Sequence, residues 1–525
     1  MKKVTISLLG IGMALFVLVP SCSKQLNQTP KYGLNSEVVY SDPNNYINVL
    51  AKLYAGLSMT GLQGPAGSGD IAGIDEGFSS YVRVMWNLQE LPTDEAICGW
   101  NDPGIPAMNK LQWNADDGWV KGMYYRIYYQ ITLCNEFIYQ ARDEKLDERG
   151  FSDADKERIR TYRQEARFLR ALSYSHAMDL FGNVPFVDEN DRVGAFLPER
   201  ITRAEVFNYI ESELIAIEDL MLPASGAPYG RATKAAAQTL LAKMYLNASV
   251  YTGTQRNADC ITYCQKVINS GAFQLDDEYQ DLFLADNNTS PEIIFPVVYD
   301  GLNAQTYGGT TYLVCGALGG SIVAADYGVN GKWGGLRAKP QFVDKFPDTT
   351  QDSRFLFYRD GQTKEITALG TFTQGYAFPK FKNKTQAGAN GSNNGSSPHV
   401  DIDYPMFRLA DVYLMLAEAS FRNGDQGTAL QYMNLIRERA YGNSSYNFAS
   451  LTLNDFLDER ARELSWEGHR RTDLIRFGLF TSADYVWSFK GGDVNGIGVS
   501  SHLNLYPIPT ADLVLNPNLQ QNTGY

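Results

Sequence analysis

The sequence predicts a mostly α-helical protein: a scaffold of about four helical hairpins, with long loop-rich insertions that carry short β-strands. Three observations lead to that class. Apolar residues step by three and four through most of the chain, which places them on one face of a helix. These periodic stretches come in successive pairs, as stacked helical hairpins do. Two long stretches, 61–113 and 273–405, break the period with Gly-rich loops and short β-like runs. At 525 residues and 44% hydrophobic content, the chain can bury a large core.

The N-terminus reads "MKKVTISLLGIGMALFVLVPSCSK". Lys2 and Lys3 precede an apolar run from Val4 to Val19, which stops at Pro20-Ser21-Cys22. The run is short for a membrane span and polar residues follow at once. It predicts a secretory signal over 1–21 and a single domain over 22–525. Val-Pro-Ser-Cys is a loose form of the bacterial lipobox. On that reading Cys22 is the first mature residue, and its acyl chains anchor a soluble body to a membrane. Plain secretion with cleavage nearby is the alternative.

The helices follow in order. Pro43–Met59 pairs with Asp117–Arg142, and Arg158–Phe181 with Thr202–Met221. Ile159, Tyr162, Ala166, Leu169, Ser173, His176 and Leu180 form one stripe that Gly182 ends. His176 lies on that stripe and reads as a hydrogen-bonded residue at the core edge. "AAAQTLLAKMYLNAS" precedes "NADCITYCQKVINSG", and "LADVYLMLAEASFRNGD" precedes "GTALQYMNLIRERAYG". In the last pair Ala417 and Ala429 flank a turn at Gly424, which makes the scaffold tetratricopeptide-like. The second insertion carries the β-like runs "EIIFPVVYD" and "TYLVC" and the low-complexity "TQAGANGSNNGSSPH". Loops this long in a helical protein usually carry function.

Composition excludes several classes. A net charge of −13 disfavours nucleic acid and anionic membrane surfaces. Beyond Cys22 there are Cys98, Cys134, Cys260, Cys264 and Cys315, too few for a disulfide framework, and they read as buried thiols. Cys260 and Cys264 lack two further zinc ligands. Only four histidines occur, and no HExxH, GxSxG or P-loop motif is present. Asp75/Glu76 and Asp276/Asp277 are acid pairs, but adjacency does not place two carboxyls across a glycosidic bond. The sequence therefore predicts no enzyme and requires no cofactor.

The loop aromatics are the informative residues. Trp100 lies in "PTDEAICGWNDPG", Tyr307 in "TYGGTTYLVCG" and Trp333 in "VNGKWGGLRAK", all framed by glycine. A ring on such a loop either pins the loop to the body or stacks on the apolar face of a sugar. Trp86, Trp113, Trp119, Trp466 and Trp487 are expected to pin.

At the C-terminus, "DERARELSWEGHRRTDLIRFGLF" and "YPIPTADLVLNPNLQQNTGY" resemble the end of the SusD/RagB family of Bacteroidetes surface glycan-binding lipoproteins. "EARFLRALSYSHAMDLFGNVPF", "PMFRLADVYLMLAEA" and the lipobox stand in the family's order, so the resemblance covers essentially the whole chain. "DEGFSSYVR", "ELPTDE", "APYGRATKAA", "YLNASVYTG" and "KGGDVNG" resemble segments of the family's starch-binding founding member. The resemblance implies an outer-membrane, lipid-anchored protein facing outward. It would bind starch-like α-glucan and malto-oligosaccharides and deliver them to a SusC-like TonB-dependent transporter. It also implies an arc of Trp100, Tyr307 and Trp333, with Arg83, Asn101 and Asp75 hydrogen-bonding sugar hydroxyls. Pro103 occupies the expected asparagine position, so Asn101 stands in for it. Cys98 stands where a further loop-edge tryptophan is expected. A structural calcium would be held by Asp286, Asp401 and Asp403. Another glycan such as dextran, or a scaffold that binds no glycan, are the competing readings.

Overall fold

The computed structural model describes residues 35–525 apart from Arg192, Val193 and Ala195. The signal segment and Cys22 lie outside the described residues. In chain order the principal helices are α1 (Asn45–Ser58), α2 (Tyr81–Glu90), α3 (Gly118–Gln140), α4 (Asp153–Phe181), α5 (Arg203–Ile217) and α6 (Lys234–Leu246). They continue with α7 (Asn257–Asn269), α8 (Gly309–Ala317), α9 (Leu409–Arg422), α10 (Gln426–Tyr441), α11 (Leu453–Leu464) and α12 (Arg470–Arg476). The predicted stripe of α4 is buried except at His176, which is half-buried and bonds the Tyr81 hydroxyl through Nδ1 at 2.9 Å. Thr202 and Glu205 form a reciprocal capping box that starts α5. Gly182, at φ 75°, ends α4 with Leu505 packed where a Cβ would lie.

The hairpins α4–α5, α6–α7 and α9–α10 pack as predicted. The first pair differs. α1 packs on both α3 and α4, and α3 has its most extensive contact with α4. Part of the surface of α3 is taken by α2, which lies inside the insertion read as loop and is buried along its whole length. The run Thr311–Cys315 also departs from expectation. Its Thr, Tyr and Val content reads as strand, yet it lies in α8, every residue of which is buried. Tertiary surroundings override a propensity worth about 1 kcal/mol.

The strands are short: β1 (Ala96–Cys98), β2 (Val184–Pro185), β3 (Arg200–Ile201), β4 (Ile293–Val297), β5 (Leu336–Ala338) and β6 (Tyr404–Arg408). They form three antiparallel two-stranded sheets, β1–β5, β2–β3 and β4–β6. β4–β6 closes the second insertion at its base. β1 comes from the first insertion and β5 from the second, so their pairing joins the two insertions.

Charged residues fasten the insertions to the scaffold from within. Glu459, Glu463 and Glu467 step by four through α11 and the turn after it. Arg354 of the second insertion bonds Asp352 bidentately at 2.8 Å and reaches Glu459 at 2.6 Å and Glu463 at 3.2 Å. Arg408 of β6 bonds Glu292, Glu463 and Glu467, each at 2.7 Å. Lys380 reaches Glu467 at 2.6 Å. All of these side chains are at most 1% exposed.

One buried pair is compensated less fully, Arg470 standing 3.7 Å from Glu95 while giving its closer contact to Asp94. Glu90 accepts the Gly468 and His469 amides at 2.7 and 3.2 Å, and Glu95 accepts the Trp466 amide at 3.2 Å. Burial, reinforced by neighbouring carboxylate charge, pushes both carboxyls up, Glu95 to about 8. The folded state thus keeps a proton that the unfolded chain releases above about 4.5. Stability from this pair is full below that pH and falls as pH rises toward 8. Glu95→Gln is expected to gain on the wild type as pH rises. Urea midpoints at pH 5 and pH 8.5 check this, and a gap that stays constant contradicts it.

Candidate functional site

The β1–β5 register pairs Ala96 with Ala338, Ile97 with Arg337 and Cys98 with Leu336. The Gly99 amide extends it by donating to Gly335 at 2.9 Å. The next residue outward on one side is Trp100. On the other side Gly335 and Gly334 lead back to Trp333. Residues 233 apart in sequence therefore meet, and Trp100 Nε1 donates to the Trp333 carbonyl at 3.3 Å.

The C-terminal end of α8 fixes the Trp333 loop. A helix leaves its last carbonyls without intrahelical partners. Here Cys315, Gly316 and Leu318 accept the amides of Trp333, Gly335 and Gly334 at 2.9, 2.9 and 2.7 Å. Tyr307 lies just before the other end of the same helix. The ring centroids of Tyr307 and Trp333 are 6.1 Å apart, and those of Trp333 and Trp100 are 6.5 Å apart. The planes are inclined by 62° and 52°, so the three rings form a curved row. Gly335 is required beneath it, because a Cβ there would lie 2.4 Å from the Trp100 indole. All three rings are half-buried, whereas Trp86, Trp113, Trp119, Trp466 and Trp487 are buried as expected of pinning residues.

Arg83, expected to hydrogen-bond sugar hydroxyls, lies close to the Trp100 ring and the Tyr307 loop. It is 8% exposed, and its Nη1 donates to the Tyr307 and Gly77 carbonyls at 3.0 and 3.2 Å. Its guanidinium lies 4.3 Å from the Tyr312 ring centroid and 5.9 Å from that of Trp100. Burial draws its pKa down. No carboxylate lies within ion-pair distance among the described residues. Arg83 thus holds the Tyr307 loop from beneath. Asp75 is exposed, with Oδ1 turned back to the Gly77 and Phe78 amides at 2.8 and 3.3 Å. Asn101 is exposed beside Trp100. Cys98 is not at the loop edge: it is buried in β1, where Asn109 bonds both its amide and its carbonyl. The Pro103 carbonyl accepts the Trp119 indole N–H at 3.0 Å.

The aspartates expected to hold calcium each answer to N–H or O–H donors. Asp286 accepts the Gln386 amide, Asp401 the Gly301 amide and Ser392 hydroxyl, and Asp403 the Tyr299 amide and Tyr229 hydroxyl. Among the described residues no group of three or more His, Cys, Asp or Glu side chains is placed to hold a metal ion. The cysteines Cys98, Cys134, Cys260, Cys264 and Cys315 are free and buried. Two neighbours of the arc carried no sequence signal: Tyr312, which lies under Trp100, and His399, which packs against Tyr307 at 5.1 Å.

The family model described as "SusD family" matches residues 232–525, and that described as "Starch-binding associating with outer membrane" matches 101–246. The starch-binding protein SusD of Bacteroides thetaiotaomicron is 37% identical, over 91% of this chain and 92% of its own. A SusD-like protein of Bacteroides ovatus is 27% identical over 72% of this chain and 68% of its own. Among solved structures, surface glycan-binding protein A of Bacteroides fluxus superposes with a TM-score of 0.71 at 21% identity, covering 92% of this chain and 99% of that one. The Bacteroides thetaiotaomicron surface glycan-binding protein A in complex with laminarihexaose gives 0.70 at 20% identity, covering 91% and 99%. With a family model over more than half its length and a relative this similar from end to end, the chain belongs to the SusD/RagB family.

Proposed function

We propose that this protein captures starch-like α-glucan at the outer face of the outer membrane and performs no chemistry on it. The observation that carries the reading is the row formed by Tyr307, Trp333 and Trp100. Among the described tryptophans, Trp100 and Trp333 alone are not buried, and both are in this row. Rings inclined to one another offer apolar faces to successive sugars of a curved chain, and α-glucans curve where cellulose-like chains are flat. On this reading Asn101, next to Trp100 in the chain, and Asp75 and Arg83 supply the polar groups that bond sugar hydroxyls. The relative named for starch binding supports the choice of α-glucan. Affinity for short oligosaccharides is expected near 0.1–1 mM, roughly 4–5.5 kcal/mol, with longer chains gaining by avidity.

The same reading has Cys22 carry the lipid anchor and a SusC-like TonB-dependent transporter receive the glycan, with this protein as its lid. No helix among the described residues is long and apolar enough to cross a membrane. Native gels containing amylopectin, pullulan, dextran, levan or xylan test the function. Retardation by amylopectin or pullulan is expected, with at least about tenfold weaker binding in Trp333→Ala. Retardation by dextran alone would transfer the site to another α-glucan. No retardation in any gel would leave a scaffold that binds no glycan.

A further inference from the structure

The arc has a built backing that neither the family resemblance nor the comparisons assign. Tyr307 is followed by Gly308 and Gly309, whose backbones cannot by themselves hold a side chain in one direction. Its ring therefore takes its plane from what it touches. Trp333 meets it edge-on. His399 packs against it more closely, with centroids 5.1 Å apart and planes inclined by 44°. His399 is 5% exposed, and its Nδ1 lies 3.1 Å from the carbonyl of Thr306, the residue before Tyr307. A carbonyl only accepts, so Nδ1 carries the proton. Burial draws the His399 pKa down from the ordinary imidazole value.

The backbone of His399 is itself held. Its carbonyl accepts the Asn393 side-chain amide, and its own amide donates to Ser397 Oγ at 3.2 Å. At Gly301 a Cβ would lie 2.7 Å from the His399 carbonyl oxygen, so that segment closes on it. The same short stretch backs the other arm of the arc. Asn330 Nδ2 donates to the Ser396 carbonyl at 2.6 Å, and a Cβ on Gly331 would lie 2.8 Å from Pro398. The low-complexity stretch before β6 therefore ends in a fixed block behind both Tyr307 and Trp333.

We propose that His399 is a positioning residue that sets the plane of the Tyr307 ring, so that a residue behind the arc governs part of its selectivity among glycans. This rests on the arc being the glycan site. His399 offers two separable holds, a ring contact and a hydrogen bond to the Tyr307 loop. His399→Ala removes both, His399→Phe keeps the ring and His399→Asn keeps a hydrogen-bonding group.

The test measures affinity for maltoheptaose by calorimetry, and amylopectin-to-dextran selectivity in native gels, for these variants, Tyr307→Ala, the double variant and Trp333→Ala. His399→Ala is expected to lose roughly three- to tenfold in affinity and to narrow the selectivity, with its melting temperature unchanged. His399→Phe should recover most of the affinity. Because His399 acts through Tyr307, the double variant should bind no worse than Tyr307→Ala. Wild-type affinity and selectivity in His399→Ala, with Trp333→Ala impaired, overturns this proposal alone. Losses that add in the double variant also overturn it. Wild-type binding by Trp333→Ala would remove the glycan-site reading and this proposal with it.

Discussion

Glu463→Gln is expected to destabilise the fold by about 3–5 kcal/mol, the cost of leaving buried charge without its partner. Glu463 is fully buried and meets three guanidinium groups: Arg408 at 2.7 Å, Arg354 at 3.2 Å and Arg439. Burial alone would raise its pKa, but Arg439, Arg408 and Arg354 outweigh burial and hold it down at about 2. A neutral amide relieves none of the three cations. The loss should appear as a lower urea midpoint with an unchanged slope, and in hydrogen exchange as earlier opening of 340–405, the region Arg354 ties down. The sign with pH follows from the depressed pKa. Stability from Glu463 is fully present above about 4.5 and is lost as pH falls toward 2, so wild type and variant should converge in acid. A midpoint within experimental error of the wild type at pH 7 would mean that the clasp contributes little.

That clasp also marks where reading the sequence stops. The helical stripe of α4 was legible because its period is local, although the C-terminal half of the helix is buried nearly all round. Trp333 was legible because an indole between glycines has no helix or strand to belong to. The stretch "DERARELSWEGHRR" was legible as a family signature, but its work was not. Arg354 lies 105 and 109 residues from the carboxylates it joins, and nothing in local spacing pairs them. Arg83 shows the same limit. The family resemblance makes it a donor to sugar hydroxyls, and local spacing does not show that its Nη1 also meets the Tyr307 carbonyl 224 residues away. The calcium reading of Asp286, Asp401 and Asp403 took carboxylates as free oxygen. The fold instead brings amides from distant loops to them, Gln386 to Asp286 and Gly301 to Asp401. The strand expected at Thr311–Cys315 fell to packing, and the β1–β5 joint could not be read because each strand has only three residues.

Gly335→Ala should silence the proposed glycan site while leaving the protein folded. The backbone at Gly335 is not in the left-handed region, so alanine fits its φ and the cost falls on space alone. That space belongs to Trp100, whose Nε1 and Cε2 would each lie 2.4 Å from the new Cβ. The backbone of Gly335 is tied on both sides, to Gly316 and to Gly99, and cannot retreat. Trp100 is half-buried and can swing outward, giving up its hydrogen bond to the Trp333 carbonyl and its place in the row. The expected result is a loss of at least about tenfold in affinity for maltoheptaose, with a stability change near or below 1 kcal/mol. Calorimetry and urea unfolding on the same preparation measure the two. Trp100→Ala should bind about as weakly, and combining the two changes should add little, since both remove the same ring. Wild-type binding by Gly335→Ala would mean that the Trp100 ring takes no part in holding the sugar, and the arc would shrink to Tyr307 and Trp333.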